Sequence, residues 1–229
     1  MNGSEHITDK RTKTTVWTVL LLWLALAVIL GTGGTFAGTP GAAPLPILAG
    51  VLTPLIVFLV AYWATGSFRD YVLSGDLTVM AGIQAWRFGG LGFIALYVYG
   101  VLPGLFAWPA GLGDMAIGAT APLVILALRR NPDFAAGSLF RVWNLLGILD
   151  LVVAVSLGAL SSMLGFGVSG AFPMSMMPLV LVPTFFVPLF VMLHIASLLQ
   201  AKQLREAGKV CKWTGPSLRC GPVEGMKGV

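Results

Sequence analysis

The sequence predicts an all-α integral membrane protein, a bundle of six transmembrane helices, and three observations support that prediction. The 229 residues are 57% hydrophobic. Only 10% of them are charged, against about 25% in a typical soluble domain. Six long apolar segments nearly exhaust the chain. We therefore expect most of the protein to lie in the lipid bilayer, with no separate soluble domain.

The six expected spans divide the chain into a transmembrane domain and two tails. The spans cover about residues 15–33, 45–64, 77–101, 104–128, 139–161 and 177–200. Each is long enough to cross a hydrocarbon core of about 30 Å as a helix. Residues 1–14 form the N-terminal tail, and residues 201–229 form a basic C-terminal tail. The run LLQAKQLREAGK is expected to continue the last span as a short basic helix, and the tail after it is expected to be partly disordered.

The distribution of lysine and arginine predicts the orientation. Both tails and the linkers after spans two and four carry basic residues, whereas the linkers after spans one, three and five carry none. Positive charge marks the cytoplasmic side of a membrane protein. We therefore expect both termini in the cytoplasm and six crossings of a bacterial cytoplasmic (inner) membrane.

Three charged side chains fall at membrane depth, and they are the first candidates for a functional site. Arg87 lies near the middle of span three, Asp114 in span four and Asp150 in span five. An unpaired charge at the bilayer centre costs at least about 2.5 to 3.5 kcal/mol, so these groups must face the interior. The short GVLPG corner makes spans three and four antiparallel neighbours, which predicts an Arg87–Asp114 ion pair.

One arginine and two aspartates are expected to leave one carboxylate without a cationic partner at that depth. Three outcomes stay open for it: pairing with Arg141, a protonated state, or proton exchange as part of a cycle. Further polar candidates lie toward the cytoplasmic half, namely Gln84, Asn144 and His194. These groups either form a substrate or proton pathway or join the helices through polar contacts.

Several other kinds of functional site are excluded because the sequence lacks the residues that they require. A haem bound by two histidines needs both at membrane depth, and His6 lies in the N-terminal tail. The catalytic motifs HExxH, GxSxG and the Walker loop are absent from the sequence. Cys211 and Cys220 share the tail without further zinc ligands. We expect no cofactor. A copper hypothesis rests on the soft thioethers of Met174, Met176 and Met177.

Spans three to six resemble a group of uncharacterised bacterial multi-pass inner-membrane proteins. The resemblance rests on a Q-x-x-R element, a G-x-x-D-x-x-x-G-x-x-A-P element, a W-N-x-x-G element and an H-x-x-S element preceded by proline. The residues concerned are Gln84, Arg87, Asp114, Gly118, Pro122, Trp143, Asn144, Gly147, His194 and Ser197. The group has no assigned activity, so the resemblance implies the membrane fold and no function.

Three functional hypotheses follow from the polar residues. The first is a small-solute or proton-coupled transporter with a site within spans three to six, where Arg87 binds an anion or balances charge. In it, Asp114 or Asp150 carries a proton and His194 acts as a gate or relay. The second is a non-catalytic assembly, sensing or scaffold subunit. The third is a membrane enzyme that uses His194 and an aspartate as acid and base. The expected partners are the bilayer and a small solute or proton, not nucleic acid, and association with a second copy stays open.

Overall fold

Helices form every regular element in the computed structural model, which describes residues 3–38, 41–165 and 172–210. Six helical segments are long and apolar enough to cross a membrane. They are Lys10–Thr32, Leu45–Ala64, Leu77–Val98, Gly104–Arg130, Ser138–Leu164 and Val182–Ala207. The predicted all-α class with six spans is therefore confirmed, and the chain is a membrane-embedded protein. The four middle spans agree with the predicted ranges to within three residues at each end.

The first two spans are single helices followed by a short third one. Helix α1 (Gly3–Thr32) begins well before the predicted start at residue 15. Helix α2 (Leu45–Ala64) has Pro44 at its N-cap and Pro46 in its first turn, where a missing N–H costs nothing. Helix α3 (Gly66–Leu73) was not predicted, because its eight residues are too short to give a clear periodic pattern.

The third span is divided into three pieces, which the sequence did not predict. Asp76 accepts a hydrogen bond from Thr78 N at 2.7 Å and so caps helix α4 (Leu77–Gln84). A 3₁₀-helical segment (Ala85–Gly90) follows, and helix α5 (Leu91–Val98) completes the span. Gly100, with φ of 71°, then turns the chain toward the fourth span.

Spans four and five are long continuous helices. Helix α6 (Gly104–Arg130) contacts α4, the 3₁₀ segment and α5 on one side. A short 3₁₀ helix (Pro132–Ala136) connects it to helix α7 (Ser138–Leu164), which also packs against α6. These contacts make α6 the helix around which the third and fifth spans assemble.

The sixth span begins later and continues farther than predicted. It starts at Val182 with a π-helical turn (Val182–Phe186), and helix α8 (Val187–Val210) continues from it. Pro188 has no N–H to donate to the carbonyl of Thr184, which favours an irregular turn at this point. The predicted helical continuation beyond residue 200 is confirmed. Helix α8 packs against α2, α3, α4 and α7, so it lies inside the bundle.

Candidate functional site

Arg87 lies in the 3₁₀ segment at the centre of the bundle and is 2% exposed. Its position depends on a close approach of two backbones. A Cβ added at Gly118 of α6 would lie 2.9 Å from the carbonyl carbon of Arg87 and 2.9 Å from the Cα of Phe88. A side chain at Gly118 would therefore separate the two elements. This close contact fixes the 3₁₀ segment against α6. From the 3₁₀ segment, the Arg87 side chain reaches α6, α7 and α8.

All three guanidinium nitrogens of Arg87 have partners, and these come from three helices. Nε donates to Asp114 Oδ1 of α6 at 2.7 Å, and Nη2 donates to Asp150 Oδ2 of α7. Nη1 lies 3.2 Å from the carbonyl oxygen of Gly147 and 3.1 Å from His194 Nε2 of α8. The predicted Arg87–Asp114 pair is confirmed. The expectation that one carboxylate lacks a cationic partner is wrong, because one planar guanidinium contacts both carboxylates.

His194 and Asn144 extend this network in one direction. An arginine nitrogen can only donate, so His194 Nε2 accepts and the imidazole proton is on Nδ1. His194 Nδ1 therefore donates to Asn144 Oδ1 at 2.9 Å, and Asn144 Nδ2 donates to the Phe140 carbonyl at 2.8 Å. His194 and Asn144 are fully buried. The imidazole is thus a neutral link that holds the guanidinium in position.

The two remaining predicted residues lie outside this network. Gln84 is buried, but its Nε2 donates to the Phe190 carbonyl at 3.2 Å and so links α4 to α8. Among the described residues, its Oε1 has no hydrogen-bond partner. Arg141 is partly exposed near the start of α7, where its Nε contacts the Gly137 carbonyl at 3.4 Å. Arg141 forms no ion pair within the described parts of the chain.

Two glycines belong to the site although the sequence reasoning gave them no role in it. Gly147 accepts from Arg87, and a Cβ at Gly147 would collide with the imidazole of His194. A Cβ at Gly113 would likewise collide with the carboxylate of Asp150. Gly113 lies directly before Asp114, and Gly147 lies one turn after Asn144. Such close helix contacts can be recognised in a sequence when a glycine lies next to a buried polar residue or one helical turn from it, as Gly113 and Gly147 do.

The charges of the cluster do not cancel. Arg87 carries one positive charge, Asp114 and Asp150 carry two negative charges when both are ionised, and His194 is neutral. The guanidinium side chain has no exposed surface, whereas the two carboxylate side chains are 15% and 14% exposed. The cluster, defined here as Arg87, Asp114, Asp150, His194 and Asn144, therefore has one excess negative charge, on its more accessible side, when both carboxylates are ionised.

A largely apolar cavity adjoins the cluster, and Asp114 is the only charged residue among the described residues that line it. About 70 Å³ of it can hold the centres of water-sized molecules, within a wider space of about 830 Å³ that includes its open side. Helices α2, α5, α6, α7 and α8 and the π-helical turn form its walls, which include Phe93, Phe106 and Gly158. Phe36, in the linker after span one, also lines the cavity. The cavity thus lies on the side of the uncharged linkers and reaches the cluster at Asp114.

The three methionines proposed for copper have different surroundings. Met174 is buried in an apolar group with Phe93 and Phe106, whereas Met176 is 52% exposed. Met177 packs against Gly31 of α1. Within the described residues, no group of three or more His, Cys, Asp or Glu side chains could hold a metal ion. Cys211 and Cys220 lie outside the described residues.

A comparison with protein families gives one match that covers most of the chain. A family model described as a domain of unknown function (DUF8737) matches residues 44–201. The matched range contains every residue of the cluster and most of the cavity wall. Neither the curated proteins nor the solved structures give a match to this chain.

Proposed function

We propose, from the premise that the chain belongs to the DUF8737 family of domains of unknown function, that this protein is a proton-coupled transporter of a small solute. The observation that carries the proposal is the double position of Asp114. Its carboxylate pairs with Arg87 inside the bundle and also lines the cavity. A change of charge or ligand in the cavity would therefore act directly on an ion pair whose arginine also contacts α7 and α8.

Each member of the cluster has a distinct role in this proposal. Asp114 and Asp150 together hold or release one proton, because one proton on the pair balances the excess negative charge. Arg87 balances the remaining carboxylate charge; its three nitrogens are occupied, so it is not the anion-binding group considered above. His194 and Asn144 orient Arg87 from the closed side of the site.

Two irregular helices next to the cluster support movement at the site. The 3₁₀ segment carries Arg87, and the π-helical turn lines the cavity through Val182 and Pro183. Broken helices that line a polar site near the membrane centre are a recurring design of transporters. Both places depart from the hydrogen-bond pattern of an α-helix, and such departures are where helices bend. The third and sixth spans are therefore the proposed moving parts.

The proposed orientation places the cavity on the outer side of a bacterial cytoplasmic membrane. The linkers after spans one and five contribute Phe36, Met174 and Ser175 to the cavity, and neither linker contains lysine or arginine. The basic residues Arg129 and Arg130 end α6 on the opposite side. By the positive-inside rule, both termini are cytoplasmic and the cavity is reached from outside.

Flux measurements on reconstituted protein test the proposal. Purified protein in liposomes that enclose a pH-sensitive dye is exposed to a panel of small cationic, neutral and anionic solutes. We expect at least one solute to move protons in wild-type vesicles, and Asp114→Asn to abolish that flux while the protein stays folded. Asp133→Asn, which removes an exposed carboxylate, is the matched control. Equal flux in both variants, or no flux with any solute, would contradict the proposal.

A second candidate function is a structural subunit that assembles with other membrane proteins. The observation that favours it is that each guanidinium nitrogen of Arg87 has at least one partner, because a buried polar network of this kind can join helices without moving. This alternative predicts that Asp114→Asn lowers stability and changes no flux. The enzyme hypothesis has less support, because His194 has both nitrogens engaged and no exposed surface.

A further inference from the structure

We infer that the cavity binds a small organic cation with apolar substituents, and that the cation replaces the proton held by the Asp114–Asp150 pair. This inference deepens the proposed function, on which it rests for its role in transport, by naming the class of solute.

The charge of the cluster selects against an anion. With Asp114 and Asp150 ionised, one guanidinium leaves one negative charge uncompensated, and both carboxylates are the exposed members of the cluster. The guanidinium has no exposed side-chain surface. A solute that enters the cavity therefore meets negative charge and not Arg87. A cation or a proton compensates that charge, whereas an anion adds to it.

The cavity walls favour an organic cation over a metal ion. Phe36, Phe93 and Phe106 contribute aromatic rings to a lining that is otherwise mostly aliphatic. The faces of aromatic rings attract cations, and apolar walls favour a ligand with an apolar surface. A hard metal ion instead requires several oxygen ligands, and no group of three suitable side chains occurs in the described residues.

The surrounding elements leave Asp114 as the group that a cation would approach. Arg87 from the 3₁₀ segment pairs with it directly, and Asp150 from α7 and neutral His194 from α8 are the ionisable groups that contact the same guanidinium. Helices α2 and α5 contain no acidic, basic or histidine residue. A cation beside Asp114 makes the shared proton unnecessary for charge balance. That proton then passes to water, and the total charge of the site is unchanged.

Calorimetry with a matched pair of ligands tests the inference. The probes are benzyltrimethylammonium, which carries a permanent charge, and neopentylbenzene, its uncharged isostere. Full-length protein in detergent is titrated with each probe in phosphate and in HEPES, whose ionisation enthalpies differ. We expect the cation alone to bind, with release of up to about one proton, and its affinity to fall as the pH is lowered.

Two variants locate the binding to the cavity and the carboxylate. Asp114→Asn should weaken cation binding at least roughly tenfold and remove the proton release, because a charge-assisted contact is lost. Gly158→Leu should also weaken binding by filling the cavity. A Cβ at Gly158 would lie 3.5 Å from the Phe106 ring, which is an ordinary contact, so this variant remains informative if Asp114→Asn does not fold. Asp133→Asn should bind like wild type.

The results separate this inference from the transport proposal. Failure of the cation to bind, equal binding of the uncharged isostere, or binding that Gly158→Leu leaves unchanged would overturn the inference. Asp114-dependent flux of some other solute would then still support transport. Conversely, cation binding with proton release but without flux in liposomes would support this site and contradict the transport proposal.

Discussion

The first and sixth spans are both apolar enough to cross a membrane, but they face different surroundings. In the most apolar part of the first span, 11% of the residues are buried inside the protein. In the corresponding part of the sixth span, 56% are buried. Leu21, Leu22 and Ile29 of α1 are more than 60% exposed. Helix α8 instead buries His194, Ser197 and Gln200. In lipid, exposed apolar side chains are already in a favourable solvent, whereas polar groups need partners inside the protein.

The difference in burial between the two spans shows which residues of this fold are constrained by neighbouring protein groups. Helix α1 makes contacts with α3 and with the π-helical turn. In the latter contact, the ring centroids of Trp23 and Phe185 are 4.6 Å apart. Apolar substitutions on its lipid-facing side change few protein contacts. Helix α8 has protein on most sides, so each of its polar residues must match a particular neighbour.

Arg87→Gln should cause the largest loss of stability. It leaves two carboxylates without their cation, and removal of one partner from a buried ion pair costs about 3 to 5 kcal/mol. Arg141→Gln, in a partly exposed position near the start of α7, should change stability by about 1 kcal/mol or less. Unfolding of the purified proteins in detergent measures both effects. Equal losses in the two variants would show that the central position of Arg87 has no special importance.

His194→Ala should have the second largest effect. It removes one hydrogen-bond partner from a charged guanidinium and one from Asn144, and a hydrogen bond to a charged group contributes about 1.5 to 3 kcal/mol. The same unfolding measurement applies. A loss below about 0.5 kcal/mol would contradict the assignment of His194 as a link that positions Arg87.

Gly147→Ala tests the contact between α7 and α8. The added methyl group would collide with the His194 ring, and overpacking of this kind typically costs about 1 to 3 kcal/mol. Gly158→Ala on the same helix is the matched control, because its methyl group would meet Phe106 at an ordinary 3.5 Å. Thermal unfolding should therefore separate the two glycines. A similar loss in both would point to a general requirement for glycine in α7.

Substitutions on the lipid-facing side of α1 should have the smallest effects. Leu22→Ala removes a side chain that is 64% exposed, so little protein contact is lost. We expect a change of less than about 0.5 kcal/mol in the free energy of unfolding. The loss of unfolding free energy in Leu22→Ala is to be compared with the loss in His194→Ala, which measures the difference between the two spans. A loss as large as that of His194→Ala would mean that this face of α1 is covered by another protein surface.

The spans were predictable because membrane thickness sets their length and composition. The Arg87–Asp114 pair was also predictable, since the short corner between spans three and four makes them antiparallel neighbours. The 3₁₀ segment and the π-helical turn were not predictable from apolar periodicity. They depend on Gly118 meeting the 3₁₀ backbone and on Pro188 lacking a donor, which are local effects within an otherwise apolar run.

The remaining contacts of the site depend on how α7 and α8 are rotated. Asp150 and Asn144 occur on the same helix, but the sequence does not say which face of α7 meets Arg87 or His194. Arg141 was an equally reasonable partner for an aspartate by charge alone. The cavity has no sequence signature either, because its walls consist of the same apolar residues that elsewhere face lipid.

The central claim is that the cavity connects the side of the uncharged linkers to the buried cluster at Asp114. Cysteine modification tests it in a chain with Cys211→Ser and Cys220→Ser. Asp114→Cys and Ala121→Cys lie on the same face of α6 about two turns apart, but Ala121 has no exposed surface. We predict that a membrane-impermeant cationic thiol reagent, added from outside, modifies Asp114→Cys and not Ala121→Cys. Failure to modify Asp114→Cys, or equal modification of both, would contradict the account.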